Sequence, residues 1–138
     1  MDMKAYLIDD RFWKNKMEVV RTKMIPYQWK ALNDLVEDAA PSHCVKNFRI
    51  AAGMEKGDFQ GCVFQDSDLA KWLEAVGYTL AWKKDRELEQ MADEVIAVIE
   101  KAQQPDGYLD TYYIINGLEK KVDKSTGQPR TILCRTYD

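Results

Sequence analysis

Asp66-Ser-Asp-Leu-Ala-Lys-Trp-Leu-Glu-Ala-Val-Gly-Tyr-Thr-Leu80 puts Leu69, Trp72, Leu73, Val76 and Leu80 on a single helical face. Asp66 or Ser67 reads as its N-cap. Lys83-Lys-Asp-Arg86 then forms a polar connector, in which Asp85 is placed to cap a second helix. That helix runs from about Arg86 to Gln103, with Leu88, Met91, Val95, Ile96 or Val98, and Ile99 facing inward. Two helices joined by so short a turn make an antiparallel αα-hairpin. The fold class expected is therefore all-α, built mainly of helical hairpins.

Working outward, Gln104-Pro-Asp-Gly107 stops the second helix, because proline and glycine both oppose continuation. Tyr108 to Ile115 is aromatic and reads as a loop or short strand. Upstream, Asp9 or Asp10 caps a helix from about Arg11, with Trp13, Met17, Val20 and Met24 at helical spacing. Pro26 should end or kink it. A further helix is expected over Tyr27–Asp38, with Trp29, Leu32, Leu35 and Val36 as its stripe. Asn47-Phe-Arg-Ile-Ala-Ala-Gly53 reads as a short helix closed by Gly53, and Glu55–Gln60 as loop. Lys4–Ile8 reads as a short strand or lead-in. After Glu119 neither helical nor strand periodicity remains, so 120–138 is expected to be a disordered tail.

The chain has 138 residues, of which 46% are hydrophobic and 31% charged, with a net charge of −3. That length fits one small domain. Mild acidity without a basic stripe gives no nucleic-acid footprint. No apolar run approaches a membrane span, and no signal peptide is visible, so a cytoplasmic location is expected. Three cysteines, Cys44, Cys62 and Cys134, do not suggest a disulfide framework. One histidine, His43, beside Cys44, is too little for a metal site. No metal ligand and no catalytic residue is assigned from these features.

Three segments carry candidate chemistry, each with a bland alternative. Asp66 and Asp68, with Lys71 a turn later, are either cap and first-turn acids or, with Gln65, a polar rim that binds ligand hydroxyls. Gln103-Gln-Pro-Asp-Gly-Tyr-Leu-Asp-Thr-Tyr-Tyr113 is either a helix-ending turn with structural tyrosines or a sugar-facing loop, whose rings stack on C–H faces while amides and acids bond hydroxyls. Arg11–Trp29 offers large rings that are expected to pack amphipathically in the core.

In their order and spacing, Phe12-Trp-Lys14, Ile25-Pro-Tyr-Gln-Trp29, Asn47–Gly53, Phe64-Gln-Asp-Ser-Asp68 with Lys71-Trp-Leu-Glu74, and Ala102–Tyr112 resemble the N-terminal region of glycoside hydrolase family 127. The resemblance, from Phe12 to about Glu119, implies the N-terminal portion of an (α/α)6 barrel over residues 1–119, incomplete by itself. It implies retaining, exo-acting hydrolysis of terminal β-L-arabinofuranosyl groups. It also implies zinc and a cysteine nucleophile in the intact family, at positions that none of Cys44, Cys62 and Cys134 matches. The chain alone is thus expected to be inactive, with Gln65, Asp66, Asp68, Asp106 and Tyr108 as the substrate-binding candidates it retains. An apolar stripe at Leu69, Trp72, Leu73 and Val76 would then be uncovered and favour self-association. The family's His-Glu-Leu-Tyr motif is missing from the tail. Removing one base near the Lys120-Lys121 codons gives a frame compatible with it, so a frameshift after Glu119 is expected. The reading from another class is a stand-alone helical module that binds a carbohydrate or a protein partner.

Overall fold

The computed structural model describes residues 8–117. The elements are α1 (Arg11–Val19), a π turn (Val20–Met24), α2 (Ile25–Leu32), α3 (Cys44–Ala51), a 3-10 turn (Val63–Gln65), α4 (Asp66–Trp82), α5 (Arg86–Ala102) and α6 (Thr111–Asn116). No strand occurs among the described residues. The expectations for residues 120–138, and for a strand at residues 4–7, lie outside the described residues.

The hairpin forms as its spacing predicts. Asp85 caps α5 by accepting the Leu88 amide at 3.2 Å. Helix α4 buries Leu69, Trp72 and Val76, and α5 buries Leu88, Ala92 and Val95. Val98 packs against the core, whereas Ile96 is exposed. Helix α3 packs against α4, α5 and α6, and α2 lies against α4. One core joins them, with Ile25, Leu32, Cys44, Val45 and Phe48 as its other wall. The Trp29 and Trp72 rings meet at 4.7 Å, and the Trp72 indole N–H donates to the Ile25 carbonyl at 3.2 Å. The stripe expected to lie uncovered is therefore buried: Leu69 and Val76 are each 1% exposed. Phe12, Trp13, Tyr27, Phe64 and Tyr78 are exposed, so of the rings expected to pack in the core over Arg11–Trp29 only Trp29 does so.

Pro26 does not break the first helix. The chain widens into the π turn instead, where the Ile25 amide reaches the Val20 carbonyl, and Pro26 enters the first turn of α2. Proline lacks an amide donor and crowds the preceding turn, and a wider turn relieves both problems. The connector anchors this bend. Glu18 receives Lys83 at 2.5 Å and Arg21 at 2.9 Å, and Arg21 also reaches Asp85 at 3.1 Å. The Lys83 and Arg21 hydrogen bonds hold the Glu18 carboxyl below its usual range.

Three boundaries differ from expectation. Helix α2 stops at Leu32, because Asp34 turns left-handed at φ 60°. Leu35 is 67% exposed, so the apolar pattern that extended the helix has no core to face. Helix α3 begins three residues early, at Cys44, and ends just before Gly53 at φ +68°. The segment taken for loop or strand after Tyr108 holds α6. Asp110 caps it by accepting the Tyr113 amide at 3.2 Å. The tyrosines of α6 hid a helix too short to show a period.

Candidate functional site

The N-termini of three helices meet where the family-like segments converge. Cys44 opens α3, and its thiol donates to the Gln65 carbonyl at 3.0 Å. Asp66 opens α4 directly from the 3-10 turn, so it is inside the helix rather than its cap. Its carboxylate reaches across 45 positions to α6: Oδ2 accepts the Thr111 amide and Oδ1 the Thr111 hydroxyl, both at 2.7 Å. Thr111 is completely buried. A carboxylate at converging helix N-termini is favoured by their dipoles. Burial nevertheless pushes the Asp66 carboxyl up, against the two Thr111 bonds.

Gln65 and Asp68 face the other way. They line a cleft of about 550 Å3 between α2 and α4, with Gln28, Ser42, Lys71 and Trp72 among its other walls. The Gln65 side-chain carbonyl accepts the Cys62 amide at 2.6 Å, and Lys71 pairs with Asp68 at 3.0 Å. Gly61 is required beside them. Its φ is +89°, and a Cβ there would fall 2.1 Å from Gln65 Oε1.

Asp106 and Tyr108 sit on the turn between α5 and α6. Gly107, at φ +85°, lets the turn close through a Gly107 N–H to Gln104 carbonyl bond of 2.8 Å. Asp106 accepts the Tyr108 amide at 3.0 Å. Burial, then the charge of Asp110, pushes the Tyr108 phenol up to about 12. The five candidates thus form two groups. Gln65 and Asp68 rim the cleft, while Asp66 faces the α6 side with Asp106 and Tyr108. Neither Thr111 nor Asp110 was singled out beforehand. Asp110 carries a visible cap signature, but nothing in the sequence pairs Thr111 with Asp66.

The lone histidine has a local role. His43 is left-handed at φ 56° and donates its amide to Asp34 at 2.8 Å. Its Nδ1 lies 3.1 Å from the other Asp34 oxygen but makes no hydrogen bond. Cys44 is buried, and burial followed by the Asp66 charge pushes its thiol up to about 12. That is unlike a nucleophilic or metal-binding thiol, which must ionise easily. Among the described residues no three histidine, cysteine or acidic side chains gather as a metal site needs. The donor set of the described residues therefore does not fit the zinc implied by the resemblance.

Stacked helices with this apolar seam are part of an (α/α)6 barrel, the fold of the solved enzymes that the chain resembles. A family model described as "Beta-L-arabinofuranosidase, GH127 catalytic domain" matches residues 7–130. The chain belongs to glycoside hydrolase family 127. A non-reducing end β-L-arabinofuranosidase of Bifidobacterium longum subsp. longum is 42% identical over 120 residues, covering 78% of this chain and 18% of its own length. The crystal structure of a GH127 β-L-arabinofuranosidase from Geobacillus stearothermophilus T6 superposes with a TM-score of 0.77 at 61% identity, over 79% of this chain and 17% of that one. A second GH127 β-arabinofuranosidase gives 0.68 at 26% identity, over 81% and 17%. This chain therefore spans less than a fifth of the length of these relatives. No helix among the described residues is long and apolar enough to cross a membrane.

Proposed function

We propose that residues 8–117 serve as an N-terminal wall of the catalytic barrel of a retaining, exo-acting glycosidase that removes terminal β-L-arabinofuranosyl groups. The observation that carries this reading is the 61% identity, at a TM-score of 0.77, with the Geobacillus stearothermophilus arabinofuranosidase. In this reading Gln65 and Asp68, at the cleft between α2 and α4, and Asp106 and Tyr108, on the turn before α6, offer hydrogen-bonding groups to a sugar at two separate places, and the zinc and the nucleophile come from outside residues 8–117. A buried thiol pushed up to about 12 favours that division. The 138-residue chain by itself is then inactive.

The test is release of nitrophenol from an aryl β-L-arabinofuranoside by the purified chain. No release above buffer is expected, and turnover by the chain alone would refute its inactivity. The frameshift proposal for the tail is tested separately by the DNA downstream of the Glu119 codon. A family continuation in a shifted frame supports it, and the lack of one there refutes it.

A further inference from the structure

The geometry points to Asp66 as a positioning residue, whose carboxylate clamps the N-terminus of α6 and so fixes the turn that presents Asp106 and Tyr108. Four observations carry this. First, Asp66 is the opening residue of α4, the longest buried seam of the core beside α5, so its backbone is rigidly held. Second, both of its oxygens are used, at 2.7 Å, on the amide and the hydroxyl of one residue. A paired acceptor of this kind sets direction as well as distance. Third, Thr111 is completely buried, so no water replaces those bonds if they break. Fourth, Gln103 and Gln104 close the turn onto Gly107 and Tyr108, and Asp106 and Asp110 bond within the turn and α6, so the turn and the start of α6 hold one shape. The Asp66–Thr111 pair ties that shape to α4, while α6 also packs on α3.

The usual reading of an acid at this position, a cap for its own helix, is therefore replaced by a cap for another helix 45 positions away. The sugar-facing role of the turn rests on the function proposed above. The clamp itself is tested without sugar, so its failure and the failure of that reading are distinguishable.

Asp66→Asn keeps a carbonyl oxygen for the Thr111 amide, and its amide group donates to the Thr111 hydroxyl, which can accept as well as donate. Asp66→Ala keeps neither bond. The experiment is amide exchange and heteronuclear NMR on the 138-residue chain. In Asp66→Ala the protection of the Thr111 amide should fall at least tenfold, and the Gly107 and Tyr108 resonances should move. Val95 in α5 should stay protected. In Asp66→Asn, protection should stay within about threefold and those resonances should hold. The proposal is overturned if the alanine variant leaves Thr111, Gly107 and Tyr108 unchanged, or if the asparagine variant behaves like the alanine one. If Asp66→Ala fails to fold, Thr111→Ser and Thr111→Val decide. Serine should preserve the Gly107 and Tyr108 resonances and valine should shift them, and equal behaviour of the two overturns the clamp.

Discussion

Asn47 is 1% exposed, yet it is polar. Its amide nitrogen donates to the Gln60 carbonyl at 2.8 Å, and its carbonyl accepts the Gln60 amide at 3.2 Å. This two-way bond pins the loop after α3 and so brings Gly61 and Cys62 to the foot of α4. Asn47→Ala removes both bonds and leaves a small void at a buried position. A net hydrogen bond is worth about 1 kcal/mol, and the void adds to the loss, so the cost should be about 2–3 kcal/mol. With a urea slope of about 1.5 kcal/mol/M, the midpoint should fall by roughly 1.3–2 M. Asn47→Asp should be worse at neutral pH. It sets a buried charge against the Gln60 carbonyl, without the proton that the bond needs. Unfolding followed by tryptophan fluorescence measures this, since Trp72 is buried and stacked on Trp29. A midpoint shift under about 0.5 M for alanine, or an aspartate variant as stable as wild type at pH 7, would refute the reasoning.

Two further outcomes are expected. Burial raises the Asp66 carboxyl, so the folded protein holds that proton more tightly than the unfolded chain. Its contribution is full below about pH 4, the unfolded carboxyl value, and is lost as pH rises through the folded titration. The stability of wild type relative to Asp66→Asn should therefore fall over that window in urea melts at stepped pH; a constant or rising difference contradicts it. Between the two described cysteines, Cys62 is exposed and should react quickly with iodoacetamide, whereas Cys44, raised to about 12, should react only on unfolding. Peptide mass mapping reads this, and equal labelling of the two in the folded chain would overturn it.

The hairpin was legible because its two helices are long enough to repeat their period several times. Leu69, Trp72, Val76, Leu88 and Val95 all fall where the spacing put them. The Asp10, Asp85 and Gly53 boundaries were legible as local chemistry. The extent of α2 was not, since Leu35 continues the pattern after the backbone has turned at Asp34. Helix α6 was hidden because six residues with two adjacent tyrosines look extended. At the site, Gln65, Asp66, Asp68, Asp106 and Tyr108 stood out as residue types. Their division into a cleft rim and a clamped turn depends on the 45-residue contact to Thr111, which no local pattern encodes.

The role proposed for residues 8–117 makes them an interchangeable wall of an arabinofuranosidase barrel. Grafting residues 8–117 in place of the matching segment of the Geobacillus stearothermophilus enzyme tests it most directly, through hydrolysis of an aryl β-L-arabinofuranoside. Turnover within about a factor of ten of the parent is expected, a loss of no more than about 1.4 kcal/mol in transition-state stabilisation. A chimera that folds and melts like the parent but releases no sugar would contradict it.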